Sequence, residues 1–312
     1  MPGQPATTEQ PTTIDLIGDV VWDTHLALPH FPTPGLEARA TNRQRRLGGT
    51  ARHVARWLHL LVQAGLSPSA PPSLRVWAAL DARASKELAF CDTSACPIVP
   101  HISEVFILTQ PDGEKAMISF VPPDLPPRPL PTRSSLFYLS AYTLLAPNAE
   151  QQIVEPCERL VAKGAQMIFD LAPLVHQMDT TLVRRLVGLA RIALGNEEEW
   201  QELFTVKQRK EAIQAALALG AGSVHLKRGA GGSILACTNG SSAEIPAAPC
   251  QPVSTAGAGD AYTAATLAAL AAGRSDHWAQ RLAAFCGALH TEQRPDAENI
   301  AALQTMLTDL DA

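Results

Sequence analysis

A three-layer α/β/α sandwich around a mostly parallel sheet is the fold class this sequence predicts, and the alternation of its elements predicts it. From Leu136 onward, short apolar runs of strand length alternate with longer stretches of helix length, as in successive β-α units. Late in the chain, the run Val253-Ser254-Thr255-Ala256-Gly257-Ala258-Gly259-Asp260 enters an Ala-rich segment, which sets small residues and an acid at a helix start. With 312 residues, 46% of them hydrophobic, the chain can bury one large core. No internal repeat or second core-sized domain is visible.

The elements follow in order. Met1 to Thr13 is polar and rich in Pro and Thr, and reads as a disordered leader before a domain over residues 14–312. Asp15 to Trp22 reads as a buried strand, and Gly48 to Ala64 as a helix opened by a Gly-Gly pair. After a Pro/Ser linker from Ser67 to Ser73, Leu74 to Leu80 is a second strand. Val105 to Leu108 and Ala116 to Val121 flank Gln110-Pro-Asp-Gly-Glu114, a strong hairpin signal. The Pro-dense run from Pro122 to Pro131 is an extended connection. Strands at Leu136 to Ser140, Met167 to Asp170 and Ile192 to Leu194 then alternate with helices at Glu150 to Ala162, Thr180 to Leu189, Glu197 to Phe204 and Lys207 to Leu219. Ser223 to Lys227 and Ser233 to Cys237 are later strands. Helices Ala258 to Ala272, His277 to His290 and Ala297 to Asp309 close the chain.

Composition narrows the function. A net charge of −5 gives no electrostatic footprint for nucleic acid or anionic membrane. Arg43, Arg45 and Arg46 form a local cluster that nothing basic or aromatic continues, so it reads as a solvated or phosphate-facing loop. Six cysteines without C-x-x-C spacing fit reduced thiols in a cytosolic protein. No segment approaches the roughly 18 apolar residues of a membrane span.

The Gly257 to Asp260 turn carries the chemistry. Glycines let a ligand approach the backbone, and the first amides of a helix lack internal partners and share its positive dipole end. Such a turn can hold a phosphate oxygen, and Asp260 would stand beside it to take a proton from an attacking hydroxyl. Taken alone, the octapeptide reads equally well as an ordinary N-cap. The absence of any Gly-Lys dipeptide excludes a Walker A loop, and no G-x-G-x-x-G follows a strand. Phosphate chemistry here needs another device.

Five segments run in order along the chain: Gly18-Asp19-Val20-Val21-Trp22-Asp23, Leu47-Gly48-Gly49-Thr50-Ala51-Arg52-His53-Val54-Ala55, Asn196-Glu197-Glu198-Glu199, Lys227-Arg228-Gly229-Ala230-Gly231-Gly232 and Gly257-Ala258-Gly259-Asp260. Together, from about Asp15 to Gln293, they resemble the ribokinase family, also called PfkB sugar kinases. The resemblance implies a ribokinase-like fold with a small β lid, drawn from segments at about 24–47 and 104–121. It implies ATP with Mg²⁺, and a small sugar or sugar-like acceptor. Asp260 would be the general base; Gly257, Ala258 and Gly259 would form the anion hole. Asp23, Gly48, Gly49 and His53 would bind the acceptor. Asn196, Glu199, Lys227, Gly229 and Gly231 would bind ATP, with Glu199 near the Mg²⁺ through water. A homodimer through the lid hairpin is part of the same expectation.

The departures are specific. Ser254 stands where the family usually has an Asp that helps hold a monovalent cation, so potassium activation is in question. His53 replaces a usual Asn, Val21 replaces an Asn common in ribokinase, and Phe169-Asp170-Leu171-Ala172 lacks a frequent D-P-N. The stretch between Leu80 and Glu104 is short. Two other readings stay open: a nucleoside kinase, in which His53 and Trp22 meet a base, and a ligand-binding or regulatory homologue without catalysis.

Overall fold

The computed structural model describes residues 12–66 and 71–311. Residues 1–11 of the expected leader and 67–70 of the expected linker lie outside them. Eight strands form the main sheet: β1 (Thr13–Ile17), β4 (Ser73–Trp77), β7 (Leu136–Ser140), β8 (Gln166–Asp170), β9 (Ile192–Asn196), β10 (Ser223–Lys227), β11 (Ser233–Cys237) and β12 (Ser242–Ile245). Their order is β12-β11-β10-β9-β8-β7-β1-β4. The strands from β4 to β10 run parallel, and the hairpin β10-β11-β12 turns one edge antiparallel. Parallel strands covered on both faces read as continuous apolar runs, which explains the wholly buried pattern of Leu136-Phe-Tyr-Leu-Ser140.

Alternate side chains of these strands feed two cores. Leu136, Tyr138, Ile168, Ile192 and Leu194 meet α1 (Thr50–Gln63), α7 (Ala258–Ala271), α8 (Asp276–Thr291) and α9 (Asp296–Asp311) on one face. Phe137, Leu139, Met167, Phe169, Val224 and Leu226 meet α3 (Glu155–Ala162), α4 (Thr180–Leu189), α5 (Glu197–Phe204) and α6 (Arg209–Leu219) on the other. The Ala-rich character of α7 has a packing cause. Ala261 to Ala269 are all buried, and small side chains let the helix lie between α1, α8 and the sheet.

A second sheet of four strands stands apart, in the order β3-β2-β5-β6: β3 (Asn42–Gly48), β2 (Val21–Ala27), β5 (Glu104–Thr109) and β6 (Lys115–Phe120). The expected single strand from Asp15 to Trp22 is therefore two strands in two sheets. The chain turns at Gly18 to Val20, where Arg128 donates to the Gly18 and Trp77 carbonyls and to the Asp19 carboxylate. Arg43, Arg45 and Arg46 lie on strand β3 and not in a loop. Arg45 pairs with Glu104 across the sheet. The short helix α2 (Ala82–Glu87), capped by Asp81, escaped the sequence reading. β1 begins at Thr13, inside the span assigned to the leader, and β4 begins at Ser73 and ends at Trp77.

Asp15, fully buried in β1, ties the first edge together. Its carboxylate accepts from Arg75 Nε (2.8 Å) and Nη2 (2.9 Å), Trp77 Nε1 (2.7 Å) and Ser134 Oγ (2.5 Å). Replacing it strands several donors, each bond to a charged group being worth about 1.5–3 kcal/mol. Asp15→Ala is therefore expected to lower the free energy of unfolding in urea by about 3 kcal/mol. A loss under about 1 kcal/mol would contradict this account of the edge.

Candidate active site

In a parallel sheet the carboxyl ends of the strands form the natural binding edge. Here the last residues of three adjacent strands are Asp170 of β8, Asn196 of β9 and Lys227 of β10, and Lys227 lies in register with Asn196. The start of α7 brings Gly257 to Asp260 to the same place. Lys227 Nζ donates to Asp170 Oδ1 at 2.7 Å, and Thr263 Oγ1 of α7 donates to Asp170 Oδ2 at 2.6 Å. One carboxylate thus holds β8, β10 and α7 together.

Asn196 and Glu199 make a capping box at the start of α5. Asn196 Oδ1 accepts from the Glu199 amide at 2.8 Å, while Glu199 accepts from the Asn196 amide (2.8 Å) and from Nδ2 (2.9 Å). Glu199 is buried, and desolvation raises its pKa against the pull of Lys227.

These acids surround Asp260. Desolvation first, then repulsion from Asp170, Asp23 and Glu199, raises its pKa from 3.8 to about 8, with Lys227 opposing. A carboxyl group titrating near neutrality suits proton abstraction from a hydroxyl. Perturbed acids gathered at one edge also mark a functional site in general.

The α7 turn is built for close approach. Gly257 has φ +87°, and a Cβ there would lie 2.8 Å from His290 Nε2. The Ala258 amide donates to Thr255 O at 3.2 Å. Gly259 and Asp260 remain as first-turn amides that a helix does not satisfy from within. Ser254 carries no charge. Its amide and that of Val253 donate to Thr291 O at 3.0 and 2.7 Å, so the end of α8 supports the turn.

The small sheet supplies the opposite wall. Asp23, in β2, pairs with Arg46 of β3 in register, and burial raises its pKa to about 6 against the attraction of Arg52. Gly48 leaves the Asp23 carboxylate its place, because a Cβ there would overlap it and force the side chain to turn. Gly49 caps α1, which carries His53. Burial and neighbouring arginines hold His53 neutral, with its pKa lowered to about 3. Arg52 Nη1 donates to His53 Nδ1 at 3.3 Å, which leaves Nε2 as the N–H that His53 can offer.

The structure therefore gathers Asp23, Asp260, Glu199 and Lys227 into one electrostatic neighbourhood. Gly229 and Gly231 are exposed on the short turn after β10, away from the Lys227 ammonium, which points inward to Asp170. Trp22 is not available to a base. It is 1% exposed, its Nε1 donates to Asp81 Oδ2 at 2.7 Å, and Arg45 and Arg83 flank its ring. Sequence reasoning missed Asp170 as a site residue, although an acid ending a buried strand was a usable signal. Among the described residues no three His, Cys, Asp or Glu side chains are grouped to hold a metal ion. Asp170 and Glu199 are the carboxylates of this edge that could support a divalent ion through water.

A family model described as pfkB family carbohydrate kinase matches residues 104–301. A search of curated protein sequences finds no match. Among solved structures, the chain is similar to a Burkholderia thailandensis nucleoside kinase in complex with inosine. The identity is 19% and the TM-score 0.73, covering 94% of this chain and 97% of that one. A Thermotoga maritima ribokinase aligns at 18% identity and TM-score 0.70, covering 94% and 99%. A Vibrio cholerae fructokinase double mutant, bound to fructose, ADP and potassium, aligns at 19% and 0.74, covering 96% and 99%. At these identities the likeness establishes the fold, an α/β sandwich shared with the ribokinases. No helix among the described residues is long and apolar enough to cross a membrane.

The Asp260 carboxyl should titrate near pH 8 in the ligand-free protein when followed by carbon-13 NMR, and Asp170→Asn should move the midpoint down by removing a like charge. Its folded-state pKa lies above the unfolded value of 3.8, so the folded state holds a proton that the unfolded chain has lost. Stability from this group therefore falls as pH rises from about 4 to about 8. Asp260→Asn should accordingly stabilise the fold more at pH 8 than at pH 5. A midpoint near 4 would contradict the electrostatic account.

Proposed function

Because the chain belongs to the pfkB family of carbohydrate kinases, and is a kinase, we propose that it transfers the γ-phosphoryl group of ATP to a hydroxyl of a small sugar or sugar-like acceptor. The observation that carries this reading is Asp260, a carboxyl raised to about 8 at the start of a glycine-lined helix turn, beside Lys227. The ADP complex of the similar fructokinase supports ATP as donor.

In this reading Asp23, Gly48, Gly49 and His53 hold the acceptor against the small sheet, which acts as a lid and keeps out water that would hydrolyse the donor. The acceptor hydroxyl gives its proton to Asp260 as its oxygen bonds to the γ-phosphorus, and the bond to the leaving ADP oxygen breaks. The amides of Gly259 and Asp260, with the Lys227 ammonium, stabilise the charge on the transferring group. Gly257 lets the phosphoryl group approach the turn. Asn196, Glu199, Gly229 and Gly231 flank the nucleotide. Mg²⁺, when bound with ATP, supplies charge neutralisation on the phosphates, and Glu199 and Asp170 would hold it through water. A homodimer would form through the lid, where edge strand β6 exposes Met117, Ile118 and Phe120.

The nucleoside reading is favoured by one observation: solved structures of this fold at equal similarity include the nucleoside kinase bound to inosine. The burial of Trp22 removes one of the two residues offered to a base, so sugars are the first acceptors to assay.

Asp260→Asn is expected to reduce acceptor-dependent ADP release by about 10²-fold or more while ATP binding persists, the scale of a general base. An unimpaired variant would overturn the assignment. Gly48→Ala, which drives a methyl into the Asp23 carboxylate, should raise the KM for acceptor about tenfold and leave the KM for ATP unchanged, a loss of binding without loss of chemistry. Equal rises in both constants would remove Gly48 and Asp23 from the acceptor side.

A further inference from the structure

The Gly257 turn rests on a side chain that the phosphotransfer mechanism does not use. His290, near the end of α8, packs directly beneath Gly257. Its Nε2 lies 2.8 Å from Ala256 O, and its Nδ1 lies 2.9 Å from Trp57 Nε1. An indole nitrogen can only donate, so His290 Nδ1 is the acceptor in that bond. The ring proton therefore sits on Nε2 and is given to the Ala256 carbonyl. Trp57 is fully buried in α1, the helix that also carries His53, whose ring meets His290 edge to face at 6.4 Å.

From this geometry we infer that His290 is a positioning residue for phosphoryl transfer: its tautomer, fixed by Trp57, holds the Ala256 carbonyl and so aims the Gly259 and Asp260 amides. The inference rests on the kinase reading of the Gly257 to Asp260 turn. Holding a carbonyl oxygen in such a turn is work that a cation can do, and here a neutral N–H does it, while Ser254 contributes no charge. His290 stays neutral, which keeps Nδ1 an acceptor for the Trp57 indole, because burial, with the charges of Arg56 and Arg52, lowers its pKa against the bond to Ala256. The link runs from the acceptor-side helix α1 through α8 to the anion site. It joins two walls of the site by two hydrogen bonds.

The test compares His290→Leu, which has no donor, with His290→Gln, whose amide nitrogen reaches about as far as Nε2 and restores one. Amide hydrogen exchange over residues 254–261 is measured alongside kcat and KM. His290→Leu should speed exchange across that segment about tenfold and lower kcat about 10-fold to 10²-fold, with KM for acceptor within twofold, as expected for loss of transition-state stabilisation. His290→Gln should recover most of both. Wild-type turnover should agree within twofold in sodium, potassium and tetramethylammonium salts. If His290→Leu fails to fold, Trp57→Phe removes the indole donor that locks the tautomer and should shift exchange over 254–261 and kcat in the same direction, with exchange in the rest of α1 reporting the packing change separately. Equal losses in the Leu and Gln variants, unchanged exchange and turnover in the Leu variant, or a potassium requirement above tenfold would each overturn the inference. Absence of turnover in the wild type on every acceptor would reject the kinase reading instead, and the exchange rates would still judge the role of His290.

Discussion

The ion pair between Lys227 and Asp170 is the constraint on which the site depends. Taking an ammonium and a carboxylate out of water is costly, and the cost is recovered only with good geometry and further hydrogen bonds. Both conditions are met, with a 2.7 Å contact and Thr263 on the second carboxylate oxygen. Because the pair spans β8 and β10 and the hydroxyl comes from α7, the pair fixes the helix start relative to the sheet edge. It also sets the charge around Asp260. Asp170 pushes that carboxyl towards its protonated form and Lys227 pulls it back, so a small change in either alters the protonation of Asp260.

The two sheets divide the remaining work. The main sheet, buried on both faces, gives a fixed edge on which Asp170, Asn196 and Lys227 occur at the ends of neighbouring strands. The small sheet contributes Asp23 from a less buried surface, and Gly48 leaves the space that its carboxylate occupies. A rigid anion side and a separate acceptor side are what transfer between two substrates requires. His290 and Trp57 connect α1 to the Ala256 carbonyl, which on the proposed reading are the acceptor side and the anion side.

Legibility in the sequence followed burial. From Leu136 onward the central strands β7, β8 and β9 are largely buried runs separated by helices, so the alternation could be read directly, whereas the half-exposed edge strand β12 (Ser242–Ile245) carried no such signal and was missed. The first hundred residues were harder for physical reasons. Asp15 to Trp22 is apolar on both sides of a turn at Gly18, and burial in two different sheets looks like burial in one. Asn42 to Gly48 is largely polar and exposed, so β3 has no alternation to reveal it. In the site, Asp260 and the glycines around it were visible because helix starts have a chemical signature. Asp170 was not singled out, since its role depends on which strands are neighbours. His290 and Trp57 lie 233 positions apart in the chain, and only the packing of α1 against α8 makes them partners.

On the proposed reading, this edge of the sheet is a phosphoryl-transfer site with a hydroxyl compound as acceptor. The most direct measurement is ADP formation from ATP and Mg²⁺ across a panel of sugars and nucleosides, with the phosphorylated product identified by phosphorus-31 NMR. The account predicts ADP in one-to-one ratio with a phosphate monoester for at least one acceptor, well above the acceptor-free rate. ATP binding without acceptor-dependent ADP anywhere in the panel would contradict it.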